Sequence, residues 1–133
     1  MNEILKIEGL SKTFTKKGFF NSNIDTVKAV NDVTFSLDEG EILAIAGQSG
    51  SGKSTIAKLI LRAIEPDSGK IYFSGKEISS NVENLKNFRA QCQMVYQDPY
   101  DSVNPRMKVF DIINEPLEIH NIGSKEERYQ TVL

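Results

Sequence analysis

The segment GQSGSGKST, residues 47–55, has the residue types and spacing needed to bind phosphate, and we call it the phosphate loop. It fits the pattern Gly-x-x-x-x-Gly-Lys-Ser with Gly47, Gly52, Lys53 and Ser54. Glycines allow a tight backbone fold in which successive N–H groups point at one phosphate. The Lys53 ammonium can neutralise outer phosphates, and the Ser54 hydroxyl is a hard oxygen ligand suited to Mg2+.

The elements on either side of the phosphate loop suit this chemistry. ILAIA, residues 42–46, is a continuous apolar run that predicts a strand buried on both faces. The loop is followed by a predicted helix from Lys53 to about residue 64, which Pro66 ends because the residue before a proline avoids helical geometry. The N-terminus of such a helix stabilises an anion. A plain Gly/Ser connecting loop is the alternative, and this context disfavours it.

The rest of the chain predicts further strands and helices. Ser124 and Glu127 form a Ser-x-x-Glu capping box, which marks a helix start. The polar stretch 11–26 predicts mostly loop, and its Phe19–Phe20 pair is expected to fold back on the sheet, with a partner contact as the alternative. Strands are expected over 3–8, 27–37, 70–75 and 92–97, and helices over 82–91, from 108 to about 114, and from 124 onward.

Composition narrows the class of protein. The chain has 133 residues, enough for one modest domain, and 16 basic against 18 acidic residues argue against a broad cationic surface for nucleic acid. The single cysteine, Cys92, cannot form an internal disulfide, so a reducing, cytosolic setting is expected. No apolar run approaches the roughly 20 residues of a membrane span, and the N-terminus lacks a secretion-signal pattern. A soluble protein that meets a membrane only through a partner is expected.

Four ordered motifs resemble the nucleotide-binding domain of ABC transporter ATPases. They are LSKTF at 10–14, the phosphate loop, PDSGKIYFSGKEI at 66–78 and QMVYQDPYDSVNP at 93–105. The resemblance extends over residues 3 to about 118. The long loop after Phe14 and the wording QDPYDSVNPRM are most similar to importers of oligopeptides, dipeptides or nickel.

The resemblance implies a role for each matched residue. Phe14 would stack on adenine, and Ala29 would lie beside the same ring. Lys53 and Gln97, the Q-loop glutamine, would be catalytic, with Gln97 reaching the attacking water; Mg2+ would be bound by Ser54 and Gln97. Alternatives are a hydrophobic plug for Phe14 and an exposed strand-end amide for Gln97. The complete set implied to bind ATP is Phe14, Ala29, Gly47, Gln48, Ser49, Gly50, Ser51, Gly52, Lys53, Ser54 and Thr55.

The fold implied by the resemblance is α/β, a P-loop NTPase core of ABC ATPase type with an antiparallel β subdomain, incomplete at the C-terminus. Residues 1–97 would hold the antiparallel part and the core, and 98–133 the start of a helical subdomain. The implied partners are transmembrane permease subunits, docking beside Tyr100 and Val103, and a second ATP-binding subunit. No nucleic acid is implied. The protein would lie in the cytoplasm, on the inner face of the cell membrane through the permease.

Motifs that the family needs for ATP hydrolysis are missing from these 133 residues. The family uses a Walker B strand ending in Asp-Glu, a Leu-Ser-Gly-Gly-Gln signature and a switch histidine. The only Asp-Glu pair, Asp38–Glu39, precedes the phosphate loop, and the only histidine, His120, lies before any Walker B strand could occur. We therefore expect part of a longer subunit, with weak nucleotide binding, negligible turnover and exposed sheet faces prone to aggregation.

Three functions remain open from the sequence. The first is the ATP-binding subunit of an importer, in which ATP hydrolysis drives uptake of oligopeptides, dipeptides or a metal such as nickel. The second is the N-terminal half of a chromosome-maintenance or DNA-repair ATPase, which the 66–75 hairpin and the QDPYDSVNP loop oppose. The third is a nucleotide-binding regulator that does not hydrolyse ATP.

Overall fold

The fold is described from a computed structural model. It describes residues 2–17, 24–79, 81–96 and 103–133. These residues form two compact units, Met1–Cys92 and Gln93–Leu133. The predictions for the Phe19–Phe20 pair, Gln97 and Tyr100 fall outside the described residues. The assignment of 1–97 and 98–133 to two functional parts of a nucleotide-binding domain stays a prediction.

The first unit contains a four-stranded sheet with the order β2-β1-β3-β4. Each neighbouring pair is antiparallel. The ladder between β1 and β3 ends at the pair Ser11 and Ser68, so β1 and β2 continue beyond it as a two-stranded ribbon. The strands are β1 (Glu3–Lys17), β2 (Ile24–Asp38), β3 (Ser68–Phe73) and β4 (Lys76–Glu77).

Two helices complete the core of this unit. In α1 (Lys53–Ile60) the buried residues are Ile56 and Leu59, which the helical period places on one face. In α2 (Val82–Gln91) the Phe88 ring meets Phe73 of β3 edge to face, with ring centroids 5.2 Å apart. The buried core consists of Ile7, Leu10, Val30, Ile56, Leu59, Ile71, Ile78 and Phe88.

The ribbon of β1 and β2 corrects the sequence prediction at its N-terminal end. The stretch 11–26 was expected to be mostly loop, yet β1 continues to Lys17 and β2 begins at Ile24. Phe14 pairs with Val27 and Thr15 with Thr26. Cross-strand backbone pairing therefore overrides the polar composition on which the loop prediction relied.

Two predicted strands are wrong for this chain. Residues 42–46 form no strand, and Ile42 is 95% exposed while Leu43 and Ile45 are each 43% exposed. Residues 92–96 also form no strand, and Val95 is 96% exposed. The run 42–46 has the apolar composition of a strand covered on two faces. Among the described residues no strand pairs with either run, so their backbone has no ladder to join.

The second unit is a helical hairpin of α3 (Val109–Ile119) and α4 (Lys125–Val132). The rings of Phe110 and Tyr129 join the two helices, with centroids 5.4 Å apart. α3 was predicted to end at about Asn114 but continues to Ile119, because Pro116 is accommodated inside the helix. No helix among the residues described here is long and apolar enough to cross a membrane.

The predicted capping box at the start of α4 is confirmed. The Ser124 N–H donates to a Glu127 carboxylate oxygen at 2.7 Å, and the Ser124 hydroxyl accepts from the Glu127 N–H at 3.3 Å. The hydrogen bond from the Ser124 backbone holds the pKa of the Glu127 carboxyl below its ordinary value. This local sequence signal alone fixed where α4 begins.

Replacing Ile42 by Ser should leave the free energy of unfolding of the 133-residue chain unchanged within about 0.5 kcal/mol. The reason is that the Ile42 side chain is 95% exposed. The same substitution should reduce self-association, because it interrupts an exposed apolar segment. Urea unfolding and sedimentation velocity measure the two effects.

Leu59→Ala is the matched comparison, since Leu59 is fully buried in the core at 0% exposure. This substitution should lower the free energy of unfolding by about 2–5 kcal/mol. A comparable loss from Ile42→Ser would mean that residue 42 is covered in solution, contrary to the exposure described above.

Candidate functional site

The phosphate loop runs exposed from Gly47 to Ser51 and then enters α1. The Ser51 N–H donates to the Gln48 carbonyl at 3.2 Å, which closes a turn in the loop. Gly50 and Gly52 have φ angles of +81° and +94°, in the left-handed region that favours glycine. These two residues turn the chain into the first helical residue, Lys53.

Lys53 is folded back onto the loop that precedes it. Its Nζ donates to the carbonyl oxygens of Gly47 at 2.8 Å and Gln48 at 2.7 Å, and lies 3.4 Å from the Ser51 hydroxyl. Hydrogen bonds from an ionised donor are stronger than neutral ones. The ammonium is thereby held beside the backbone that the sequence predicts to surround phosphate, so an incoming anion finds it already ordered.

The N-terminus of α1 is open to an anion. The first helical hydrogen bond joins the Ile56 N–H to the Gly52 carbonyl at 2.9 Å, so the N–H groups of Lys53, Ser54 and Thr55 precede it. Gly52 offers no side-chain cap, and the first turn contains no acidic residue. The positive end of the helix dipole therefore meets no competing carboxylate within this turn. Ser54 is exposed, and Thr55 is half-buried.

The phosphate loop lies directly against strand β2. A Cβ atom placed on Gly52 would be only 2.1 Å from the Ala29 carbonyl oxygen and 3.8 Å from Val30 Cγ2. Only glycine permits this approach of two backbones. The structure thus brings Ala29, predicted to lie beside the nucleotide base, next to the loop predicted to hold the phosphates. Sequence spacing gave no sign of this contact, because the two residues lie on separate elements.

Phe14 lies on the exposed ribbon of β1 and β2. Its side chain is 43% exposed, and Lys12 Nζ lies 5.9 Å from the centroid of its ring. Its pairing partner Val27 is two residues from Ala29, which is about 7 Å along the strand. The exposed ring is available to a flat ligand, an arrangement that favours stacking over a hydrophobic plug.

Asp67 is a residue near this ribbon that sequence reasoning did not select. Its carboxylate accepts hydrogen bonds from Lys12 Nζ at 2.8 Å and from the Thr13 N–H at 2.6 Å. The hydrogen bond from Lys12, followed by that from Thr13, holds the pKa of the Asp67 carboxyl below its ordinary value. The available signal is the sequence PDSG at 66–69, which predicts a turn but not a side-chain contact with β1.

The structure describes only one of the two predicted Mg2+ ligands. Ser54 lies in the first turn of α1, whereas Gln97 falls outside the described residues. Within the described ranges, no group of three or more His, Cys, Asp or Glu side chains could hold a metal ion.

The sequence model of the protein family described as ABC transporter matches residues 30–133. This chain belongs to that family. A probable peptide ABC transporter ATP-binding protein of Sinorhizobium fredii is 42% identical over 129 residues, which are 96% of this chain and 36% of the relative. The oligopeptide transport ATP-binding protein AppF of Bacillus subtilis is 42% identical over 132 residues, 97% of this chain and 40% of the relative. The chain therefore spans 36–40% of the length of these two relatives.

Solved structures of the family share the fold. The ATP-binding cassette MJ0796, in a dimeric post-hydrolysis state bound to ADP and Pi, matches with a TM-score of 0.75 at 25% identity over 97% of this chain and 54% of that chain. The structure of cbiO1 from Clostridium perfringens has a TM-score of 0.70 at 24% identity and covers 98% of this chain and 47% of that chain, a likeness of fold alone. The predicted fold class, an ABC ATPase cassette with an antiparallel sheet, is confirmed.

Gly52→Ala should destabilise the chain far more than Gly50→Ala. Both residues have positive φ, so both substitutions bear the left-handed penalty of about 1–2 kcal/mol. Only at residue 52 does the new methyl group meet a backbone oxygen, at 2.1 Å; at residue 50 nothing lies within 4 Å. Urea unfolding of the two variants tests the difference. If both variants lose the same free energy of unfolding, the close approach of the phosphate loop to β2 is refuted.

Proposed function

We propose that this chain is the ATP-binding part of a subunit that couples ATP hydrolysis to the import of peptides. The observation that carries the proposal is the phosphate loop, in which Lys53 is bonded to the Gly47 and Gln48 carbonyls at the start of a helix without acidic residues in its first turn. The relatives named above support peptides as the transported class, since they are named as peptide and oligopeptide transport proteins.

The residues present fit a nucleotide triphosphate. The backbone N–H groups of the loop and of the first turn of α1 would hold the phosphates, and the Lys53 ammonium would neutralise the outer ones. The Ser54 hydroxyl and the Gln97 side chain are the proposed ligands of Mg2+, which when bound spreads the negative charge of the outer phosphates. The remaining proposed phosphate contacts come from Gln48, Ser49, Gly50, Ser51, Gly52 and Thr55.

At the other end of the site, Phe14 is the proposed stacking surface for adenine. Its ring is 43% exposed, and its π face can accept a purine without hydrogen bonds. Ala29 would lie beside the adenine ring, on β2, the strand that contacts Gly52. The base and the phosphates would thus be bound by neighbouring parts of β1, β2 and the phosphate loop.

For hydrolysis we assign two groups of this chain. Lys53 would stabilise charge that develops on the outer phosphate, and Gln97 would orient the attacking water. The Walker B, signature and switch-histidine motifs named above do not occur in these 133 residues. We therefore expect negligible turnover from these residues alone, and the complete reaction is proposed for the longer subunit.

The proposed partners are transmembrane permease subunits and a second ATP-binding subunit, which would place the protein on the inner face of the cell membrane. The cassette MJ0796 is described as dimeric, which supports the second partner. Val103, proposed to lie near the permease contact, is 43% exposed. Transport proteins among the relatives favour the importer over a chromosome-maintenance or DNA-repair ATPase.

Lys53→Ala should weaken Mg-ATP binding at least about 100-fold, because two or more charged hydrogen bonds worth about 1.5–3 kcal/mol each are lost. Isothermal titration calorimetry on the 133-residue chain measures the affinity. Lys58→Ala is the matched control, since Lys58 is an exposed lysine in the last turn of the same helix. It should bind Mg-ATP normally. Unchanged affinity in Lys53→Ala would refute the proposed phosphate site.

Phe14→Ala should weaken ATP binding by about 1–3 kcal/mol and leave the binding of inorganic tripolyphosphate unchanged, because only ATP has a base to stack. Competition against a fluorescent ATP analogue measures both ligands. Phe14→Trp, which keeps an aromatic face, is the control and should retain ATP affinity. If both ligands are weakened equally, Phe14 acts as a hydrophobic plug instead.

A further inference from the structure

Asp67 binds three consecutive residues of β1 next to Phe14. Its backbone N–H donates to the Ser11 carbonyl at 2.9 Å. One carboxylate oxygen accepts from Lys12 Nζ at 2.8 Å, and the other accepts from the Thr13 N–H at 2.6 Å. A single residue in the turn before β3 therefore contacts β1 over residues 11–13.

The place of these bonds in the sheet explains why a carboxylate is needed there. β3 stops pairing with β1 at Ser11, and the β1–β2 register shifts on both sides of Lys12, where each interval has one residue more on β2 than on β1, as at a β-bulge in β2. A bulge interrupts the ladder locally and bends the strand that contains it, here β2. The Asp67 carboxylate supplies the acceptor that a continued β3 would have offered to the Thr13 N–H.

The same carboxylate also acts on the ring of Phe14 through Lys12. Lys12 and Phe14 are two residues apart on a strand, so their side chains lie on one face. Lys12 Nζ is 5.9 Å from the centroid of the Phe14 ring, within the range of a cation–π interaction. The Lys12 side chain is only 18% exposed and is held at its far end by Asp67. The ring therefore has an ordered neighbour instead of a mobile one.

We propose that Asp67 is a positioning residue for the base of the bound nucleotide, acting through Thr13 and Lys12 on Phe14. This inference rests on the proposed function of Phe14 as the stacking surface. Asp67 itself would not touch the nucleotide. It orders the stacking surface before binding, so that less side-chain and strand freedom is lost when the base arrives.

The test compares Asp67→Asn with Glu77→Gln in the 133-residue chain. Glu77 is the matched control. Its carboxylate also forms an ion pair in the same sheet, but the partner is Lys70, at 3.2 Å, and not a residue of the segment 11–14. Asp67→Asn should weaken ATP binding about three- to tenfold, the size of coupling expected between contacting groups. Binding of tripolyphosphate should change less than about twofold, and Glu77→Gln should alter neither affinity.

A double variant makes the test specific to Phe14. In the Phe14→Ala background, Asp67→Asn should have no further effect on ATP, because the surface that it positions is gone. Lys12→Met keeps the Asp67–Thr13 hydrogen bond and the apolar stem of the side chain. It should weaken ATP binding less than Asp67→Asn does, and it should likewise leave tripolyphosphate binding unchanged. It also keeps the proposal testable if Asp67→Asn does not fold.

The outcomes separate this inference from the function on which it rests. If Phe14→Ala weakens ATP binding and Asp67→Asn does not, the positioning role is overturned and the stacking surface stands. If Asp67→Asn weakens ATP and tripolyphosphate equally, Asp67 serves only the fold, and the inference is again overturned. If Phe14→Ala itself leaves ATP affinity unchanged, the stacking surface fails and the role of Asp67 fails with it.

Discussion

The close approach of Gly52 to the Ala29 carbonyl is the constraint on which the candidate site depends. It joins two backbones that any side chain at residue 52 would force apart, since a Cβ there would lie 2.1 Å from the carbonyl oxygen. Val30, the next residue of β2, is buried in the core at 3% exposure. The packed sheet, and not the exposed loop that precedes α1, therefore fixes where α1 starts and where Lys53 lies.

The two proposed ends of the nucleotide site share the same pair of strands. β1 leaves the core after Leu10, which is fully buried, and reaches Phe14 past the register shifts on either side of Lys12. β2 passes from Val27, opposite Phe14, to Ala29, beside Gly52. Two cations of the site are already held by oxygen acceptors of the chain, Lys12 by a carboxylate and Lys53 by carbonyls. Holding these side chains in place beforehand reduces the entropy lost on binding.

Sequence reasoning succeeded where the signal is local and failed where the partner is distant. The capping box at Ser124 and the helix at 82–91 depend on spacing within a few residues, and both were predicted correctly. The run 42–46 has the composition of a buried strand, but a strand exists only beside a neighbour, and none of the described residues supplies one. The ribbon through Phe14 was missed for the opposite reason. Its polar composition predicts a loop, but its backbone pairs with residues on β2. The contacts of Gly52 with Ala29 and of Asp67 with Thr13 cross between elements, so no local pattern contains them.

The two halves of the phosphate loop are held by different means. Its C-terminal half continues into α1, whose residues Ile56 and Leu59 are buried, and is as well anchored as the core. Its N-terminal half follows the exposed run 42–46 and is held by the turn bond to the Gln48 carbonyl and by Lys53 Nζ. Lys53 thus closes the loop as well as bringing a positive charge to it. The three N–H donors of the ammonium face loop oxygens, so a bound phosphate would take over some of these bonds, while the backbone N–H groups of the loop hold the phosphate directly.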